Sequence, residues 1–149
     1  DIPDNQVFVT LRNPAAGYTI RYPEGWAQRG AGRDVTLEDK DNRVHVQVTA
    51  GGLPTATQVL AELGTLARQD PTVKASAPKR VTIGGAPSIK VFYSRQSEPN
   101  PVTGKRVLLV VDRYELARGG KRATVDLGTA KGVDNVDAYR MMIASFRWG

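Results

Sequence analysis

Apolar and polar residues alternate in several short stretches of the chain, a period of two that is typical of half-buried strands. In the first third of the sequence the pattern covers residues 7–11, 18–22, 34–38 and 43–49. After Pro78 strands are predicted again at residues 80–83, 88–93, 106–117 and 122–127. The first half of 106–117 is apolar on both faces, which suits a central strand covered on both sides, and its second half alternates. Short polar or glycine-rich segments separate neighbouring stretches and predict hairpin turns, among them residues 39–42, Gly84-Gly85 and Gly119-Gly120.

Two other stretches change to the helical period of 3.6 residues. The first covers residues 54–69, has Thr55 or Thr57 as its N-cap and stops at Asp70-Pro71. The second lies near the C-terminus and has Asp134 as its predicted cap. Its apolar residues recur at Val136, Tyr139, Ile143 and Phe146, with Met142 beside them.

Strands outnumber helices in this order, and turns rather than helices connect neighbouring strands. The pattern favours an α+β fold with a mainly antiparallel sheet over alternating β-α-β units. We expect one sheet whose apolar side is covered by the two helices. No repeat, low-complexity tract or linker divides the chain, so residues 1–149 form a single predicted domain.

The composition excludes several kinds of chemistry. The chain has no cysteine, which excludes disulfides, thiolate metal sites and thiol nucleophiles. His45 is the one histidine, so a cluster of several histidines around a metal is excluded as well. The longest strongly apolar run, residues 107–111, is far shorter than the roughly 18 residues of a membrane-spanning helix. We therefore predict neither a metal site nor a cofactor.

Positive charge is concentrated in the middle of the chain. Residues 73–131 hold twelve basic and four acidic residues, for +8, whereas residues 1–72 hold seven basic and nine acidic residues, for −2. Lys105, Arg106, Arg118, Lys121 and Arg122 lie near two predicted turns, where they form either a cationic binding surface or an ordinary solvated, Arg-rich surface. A cationic binding surface attracts acidic proteins and anionic membranes. Nucleic acid is disfavoured, because no run interleaves basic and stacking aromatic residues.

Three segments carry a resemblance to a known family. Residues 17–26, Gly-Tyr-Thr-Ile-Arg-Tyr-Pro-Glu-Gly-Trp, are similar to the opening strand and turn of the Mog1/PsbP-like family. Residues 83–91 resemble its central hairpin, and residues 143–148, Ile-Ala-Ser-Phe-Arg-Trp, resemble its closing helix. The resemblance implies an antiparallel sheet sandwiched by helices, an α/β/α arrangement, and it implies no shared catalytic residue.

The same resemblance includes bacterial lipoproteins of the DcrB and LpqN type. It therefore implies an extracytoplasmic protein of the cell envelope, secreted or lipid-anchored through a cysteine upstream of Asp1. Within the matched segments, Trp26 follows a tight turn at Pro23 and Gly25. We expect Trp26 and Phe146 to pack into the hydrophobic core.

Two single residues are candidates for chemistry or binding. His45 shares the less apolar face of its strand with Arg43 and Gln47, where it is a possible general base or partner contact, or simply an exposed strand histidine. Asp112 falls on the apolar side of its strand with Tyr114 and Leu116. It is a polar group lining a pocket, a member of a buried ion pair, or a residue turned outward by a bulge.

Two loops resemble ligand-binding motifs but fail their requirements. The acidic turn of Glu38, Asp39 and Asp41 lacks the glycine and the distal glutamate of an EF-hand. Gly104-Lys105-Arg106 lacks the Ser or Thr that follows the lysine of a P-loop. No spacing of nucleophile and base indicates an enzyme.

The leading hypothesis is accordingly a non-catalytic binding or scaffold domain that contacts an unknown protein partner. Its predicted surface is either the sheet face of Thr19, Arg21, Arg43, His45 and Gln47, or the cationic turns around Lys105 and Lys121. The alternative is a small-molecule-binding protein with a pocket between sheet and helix, near Trp26 and Asp112.

Overall fold

The structure is a computed structural model that describes all 149 residues. The strands are β1 (Phe8–Asn13), β2 (Tyr18–Pro23), β3 (Ala27–Ala31), β4 (Asp34–Asp39), β5 (Asn42–Ala50), β6 (Lys74–Ala75), β7 (Lys79–Ile83), β8 (Ala86–Gln96), β9 (Leu108–Arg118), β10 (Lys121–Ala130) and β11 (Arg147–Trp148). The helices are α1 (Ala56–Gln69), between β5 and β6, and α2 (Val136–Ala144), between β10 and β11. The mainly antiparallel α+β prediction is confirmed.

The strands form two sheets, so the expectation of a single sheet was wrong. The main sheet has eight strands in the order β3-β4-β5-β10-β9-β8-β6, with β7 paired to β8 beside β6. The small sheet has the order β1-β2-β11. Every pairing in both sheets is antiparallel. Local alternation identified these strands, but which strand pairs with which is decided by contacts far apart in sequence.

The two helices pack on opposite faces of the main sheet, not on the same side. Alternation along β9 shows this, because Leu116 belongs to the core that contains α2 and Val111 belongs to the core that contains α1. We name these the α2 face and the α1 face. The small sheet lies on the α2 face, where Tyr18 and Ile20 are buried in the same core.

The larger core, on the α2 face, contains sixteen buried residues from both sheets and α2. Its centre is the row of valines on β5, facing Met142 and Ile143 of α2. The smaller core, of seven buried residues, joins Val59 and Leu63 of α1 to β8 and β9. α1 therefore covers one end of its face and leaves the part over β5 and β10 open.

The helix ends follow the sequence closely at α1 and less closely at α2. Thr55 caps α1 in a reciprocal capping box with Gln58. At α2 the N-cap is Asn135 rather than Asp134, although Asp134 Oδ1 still accepts a hydrogen bond from Val136 N at 3.1 Å. The Asn135 side chain instead bonds Asn42 and Ile2. Neither helix has the length and apolarity that crossing a bilayer requires.

Candidate functional site

An open cleft lies on the α1 face of the main sheet, where α1 leaves the strands uncovered. Its volume is about 330 Å³. The floor is formed by β5, β10, β9 and β8, and Leu66 of α1 contributes to a wall. The β4–β5 turn at Asp41 and the β8–β9 loop at Ser97 and Glu98 form the rim.

A glycine deepens the floor of this cleft. Gly128 pairs with Arg43 on one side and with Val111 on the other. A side-chain carbon at position 128 would lie 3.2 Å from Val111 Cγ2, closer than such contacts normally are. The missing side chain therefore leaves a depression between rows of long polar side chains.

The centre of the floor is an ion pair between neighbouring strands. Arg113 of β9 and Asp126 of β10 are register partners, and the guanidinium binds both carboxylate oxygens, at 2.7 and 3.0 Å. Their side chains are 16% and 13% exposed, so water screens the pair little. The Tyr93 hydroxyl donates to Asp126 Oδ2 at 2.6 Å, and the Arg113 guanidinium lies over the Tyr93 ring at 5.2 Å.

These contacts change the acidity of both partners of Asp126. Burial, followed by the charge of Asp126, raises the pKa of the Tyr93 phenol well above its usual range. Burial works against the charged form of Arg113, but the hydrogen bonds to Asp126 outweigh it, so the pKa of Arg113 is raised as well. Tyr93 is therefore a protonated donor, and Arg113 is a fixed cation.

The floor presents hydrogen-bond donors and few free acceptors. Both oxygens of Asp126 already accept bonds from Arg113 and Tyr93. Arg113 uses Nε and one Nη for this pair, which leaves its other terminal nitrogen without a protein acceptor. Arg43 and Arg95 add further donors from either side. A carboxylate, a phosphate or a carbonyl oxygen complements such a surface.

His45 lies in this cleft but is held at its edge. It is in register with Asp126, and its Nε2 lies 2.8 Å from Asp34 Oδ1. Sequence reasoning placed no carboxylate beside His45. The two-residue turn between Asp39 and Asn42 pairs Thr36 with His45 and makes Asp34 its diagonal neighbour. Of the predicted partner surface, the structure places Arg43 and His45 in the cleft and Gln47 further along β5.

A second polar cluster lies deeper, beneath α1. Glu115 of β9 is 0% exposed, and its Oε1 accepts bonds from Arg122 Nε at 2.9 Å and Thr124 Oγ1 at 2.6 Å. Arg122 continues to Glu62 of α1, at 2.6 and 2.9 Å. Burial raises the pKa of Glu115, whereas the hydrogen bond from Arg122 lowers the pKa of Glu62. Arg122 thus ties α1 to the sheet and is not free for a partner.

The other predicted cationic residues do not form one surface. Lys105 and Arg106 lie in the β8–β9 loop, and Arg118 and Lys121 flank the β9–β10 turn at the opposite end of β9. Eleven residues of extended strand separate the two ends by about 33 Å. Likewise, Thr19 and Arg21 belong to the small sheet and are apart from the β5 residues. They therefore have to be considered as separate surfaces.

The structure also keeps Trp26 and Asp112 apart. Trp26 precedes β3 at one edge of the main sheet and packs against the larger core. Asp112 lies on β9, four strand positions away, which is about 19 Å. It is half-buried on the α2 face, in register with Leu127 and Phe92. No pocket near both residues can form with this strand order.

The buried carboxylates are on the α1 face, which the sequence analysis treated as the polar side of β9. Arg113, Asp126 and Tyr93 were not singled out. The Gly119-Gly120 turn predicts that the side chains of Arg113 and Asp126 are neighbours. A two-residue turn pairs Arg118 with Lys121, and counting five residues back along β9 and forward along β10 pairs Arg113 with Asp126. No local pattern in the sequence indicates that α1 partly covers these residues.

Known structures share this architecture. Cyanobacterial PsbP (CyanoP) from Synechocystis sp. PCC 6803 superposes with a TM-score of 0.63 and 18% identity, covering 100% of this chain and 98% of CyanoP. The Ran-binding protein Mog1p of Saccharomyces cerevisiae gives a TM-score of 0.56 and 10% identity, covering 97% of this chain and 96% of Mog1p. The chain has the Mog1/PsbP-like fold.

A third structure with this fold comes from Bacteroides thetaiotaomicron VPI-5482, with a TM-score of 0.58 and 12% identity. The match covers 94% of this chain but 48% of that protein. Neither a protein-family model nor a curated protein sequence matches the chain. The Mog1/PsbP-like fold is compatible with a binding or scaffold role and does not by itself identify a site.

Proposed function

We propose that this chain is a non-catalytic binding domain of the bacterial cell envelope, of the lipoprotein type, that contacts a protein partner. The observation that carries the proposal is the α1 cleft with its donor-rich floor. The partner would place a carboxylate or a run of carbonyl oxygens over Arg113 and Arg43, because one terminal nitrogen of Arg113 and the whole guanidinium of Arg43 have no protein acceptor.

The state of the floor argues for binding rather than catalysis. A general base needs a free proton acceptor within reach of a substrate. On the floor, both oxygens of Asp126 already accept bonds from Arg113 and Tyr93, and His45 is engaged with Asp34 at the edge. What remains on the floor, as distinct from the acidic rim, is a set of donors in which Asp126 holds Arg113 in place, and this suits recognition with little reordering of that side chain.

A protein partner has a precedent in this fold. The Mog1p neighbour is a Ran-binding protein, so the architecture can present a binding surface. The cleft, at about 330 Å³, is at the small end of ligand sites and accommodates one or two side chains of a docked protein. The exposed acidic groups of the rim, Asp41 and Glu98, would restrict which partners approach.

Affinity capture from a bacterial envelope extract tests this proposal. Wild type is compared with Arg43→Glu, which reverses a donor at the cleft, and with Arg12→Glu, a matched reversal on exposed β1. We expect wild type and Arg12→Glu to capture the same partner protein from the extract, and we expect Arg43→Glu to fail to capture it. Equal recovery on all three proteins would contradict a role for the cleft.

A second candidate is binding of a small molecule in the same cleft. Its volume lies within the roughly 300–1,000 Å³ range of ligand pockets, and Leu66 of α1 lies beside its floor of strands, although the cleft is not near Trp26 and Asp112. A thermal-shift screen of carboxylates and phosphates separates the two candidates, because a ligand of the native state raises Tm. A rise in Tm that the Arg43→Glu substitution abolishes supports a small ligand. If no compound raises Tm, the protein partner is the better explanation.

The proposed envelope location rests on the resemblance of residues 17–26, 83–91 and 143–148 to the Mog1/PsbP-like family, which includes bacterial lipoproteins. Metabolic labelling of the full-length protein with a radioactive fatty acid tests it. Label on the protein in the membrane fraction is the expected result, and unlabelled protein confined to the cytoplasm would contradict it.

A further inference from the structure

A second concave surface lies on the α2 face, away from the cleft. Three hollows of about 310, 390 and 280 Å³ adjoin one another between the β7–β8–β9 part of the main sheet and the layer of α2 and β11. The first two share Ile83 and Gly84, and the last two share Arg118 and Trp148. We call this continuous surface the basic trough.

The trough is lined by six basic side chains and no acidic side chain. They are Lys79, Lys90, Arg118, Lys121, Arg140 and Arg147. None of the six forms an ion pair, although six other pairings exist in the protein. Four of them come from the +8 segment of residues 73–131, so the trough is where much of that charge lies. Six uncompensated cations around a hollow raise the local concentration of anions.

Two of these cations already have side-chain contacts that restrict them. Arg147 Nη1 donates to the carbonyls of Ala144 and Phe146, at 2.6 and 2.8 Å. These two bonds orient the planar guanidinium, and with it the N–H groups that remain unbonded. The Lys90 ammonium lies 5.5 Å from the centre of the Tyr114 ring. Such preorganisation lowers the entropy that binding must overcome.

Apolar side chains also line the trough beside the cations. Ile83, Tyr114 and Trp148 line it and are only partly buried. A purely ionic ligand would leave this surface in contact with water. The trough thus presents both cations and apolar side chains, and a ligand that carries both acidic and apolar groups satisfies both.

We propose that the basic trough binds an extended acidic segment of a partner protein, with acidic side chains on the cations and apolar side chains between them. Tyr114 and Arg118 are four residues apart on β9, a distance of about 13 Å. A bound peptide in extended conformation needs about five residues to cover that distance. β7, which forms one wall, pairs with β8 alone, so its outer edge is free for main-chain bonds. A concave, strand-edged surface suits a polypeptide better than a planar membrane.

Fluorescence polarisation with a labelled peptide tests the proposal. The probe is a peptide of about eight residues that alternates glutamate with leucine, compared with the same peptide carrying glutamine in place of glutamate. We expect binding of the glutamate peptide to weaken as salt rises from about 50 to about 300 mM, and little binding of the glutamine peptide. Lys90→Glu/Arg140→Glu should weaken the glutamate peptide by about tenfold or more.

The matched control is Lys105→Glu/Arg106→Glu, an equal charge change at the other end of β9, which should bind the peptide with less than about a twofold change. Arg140→Glu alone, on exposed α2, repeats the test if the double variant does not fold. Equal weakening by both double variants would overturn the proposal, because attraction would then depend on net charge alone. Binding to phosphatidylglycerol vesicles without binding to the peptide would also overturn it. Neither outcome depends on Arg43 or the cleft.

Discussion

Replacing Arg122 with methionine should strongly destabilise the protein. Arg122 joins Glu62 of α1 to Glu115 of β9, and Glu115 has no contact with solvent. Methionine replaces the apolar stem of arginine but has no guanidinium and no charge, so Arg122→Met leaves the Glu115 carboxylate buried with only Thr124 as a donor. The perturbation is therefore an unpaired buried charge rather than a cavity.

The expected loss in the free energy of unfolding follows from how deeply the Arg122–Glu115 and Arg122–Glu62 ion pairs are buried. Removing one partner of a buried ion pair costs about 3–5 kcal/mol. The contact with Glu62, which is 46% exposed, adds less than about 1 kcal/mol. A loss of about 4 kcal/mol is a large share of a stability that is typically about 5–15 kcal/mol. For a chain of this size it corresponds to a fall in Tm of about 8–16 °C.

Urea unfolding followed by tryptophan fluorescence measures the loss, since Trp26 and Trp148 both pack against the larger core. Burial raises the folded-state pKa of Glu115, and removal of Arg122 should raise it further. The folded state then holds the proton more tightly than the unfolded state, so stability falls as pH rises above about 4.5. Arg122→Met should therefore be more destabilised near pH 8 than near pH 5.

The matched control is Arg29→Met, which removes a surface pair with Glu38. Arg29 is 77% exposed, so this change should cost less than about 1 kcal/mol at either pH. If Arg122→Met also lost less than about 1 kcal/mol, with the pH dependence of wild type, Glu115 would not need its ion partner and the reasoning would fail.

Three further changes test the core, the helix cap and the buried phenols. Leu37→Ala should cost about 2–5 kcal/mol in urea unfolding, because Leu37 is fully buried in the larger core; a loss below about 1 kcal/mol would contradict this packing. Thr55→Ala should cost about 1 kcal/mol through the lost capping box, while Thr55→Ser should restore most of it. Burial raises the pKa of Tyr18, Tyr93 and Tyr139, so an absorbance titration at about pH 11 should show three phenols that ionise only after unfolding, with stability falling above about pH 10. Five phenols titrating together in the folded protein would refute that assignment.

Local patterns predicted the elements whose signal is local. The hairpin of β4 and β5 follows from alternation on both sides of a two-residue turn, and the capping box at Thr55 marks the start of α1. β3 was missed because all five of its residues are exposed and none alternates. β6 and β11 contain two residues each, too few to show any period. Such strands exist because a neighbouring strand offers them unpaired main-chain groups.

The candidate cleft was only partly predictable. Alternation placed Arg43 and His45 on the face that contains it, and the Gly119-Gly120 turn determines the pairing of Arg113 with Asp126. The sequence does not show how far α1 extends across this face, because that depends on packing between Leu63 and strands some thirty to fifty residues later. The same limit applies to the basic trough, whose six basic residues come from six separate elements.

The small sheet joins distant parts of the chain, since β2 pairs with both β1 and β11. Trp148 is opposite Tyr18, and the Phe146 ring stacks on the Tyr18 ring at 5.2 Å. The larger core therefore cannot close while residues 146–148 are still inside a ribosome.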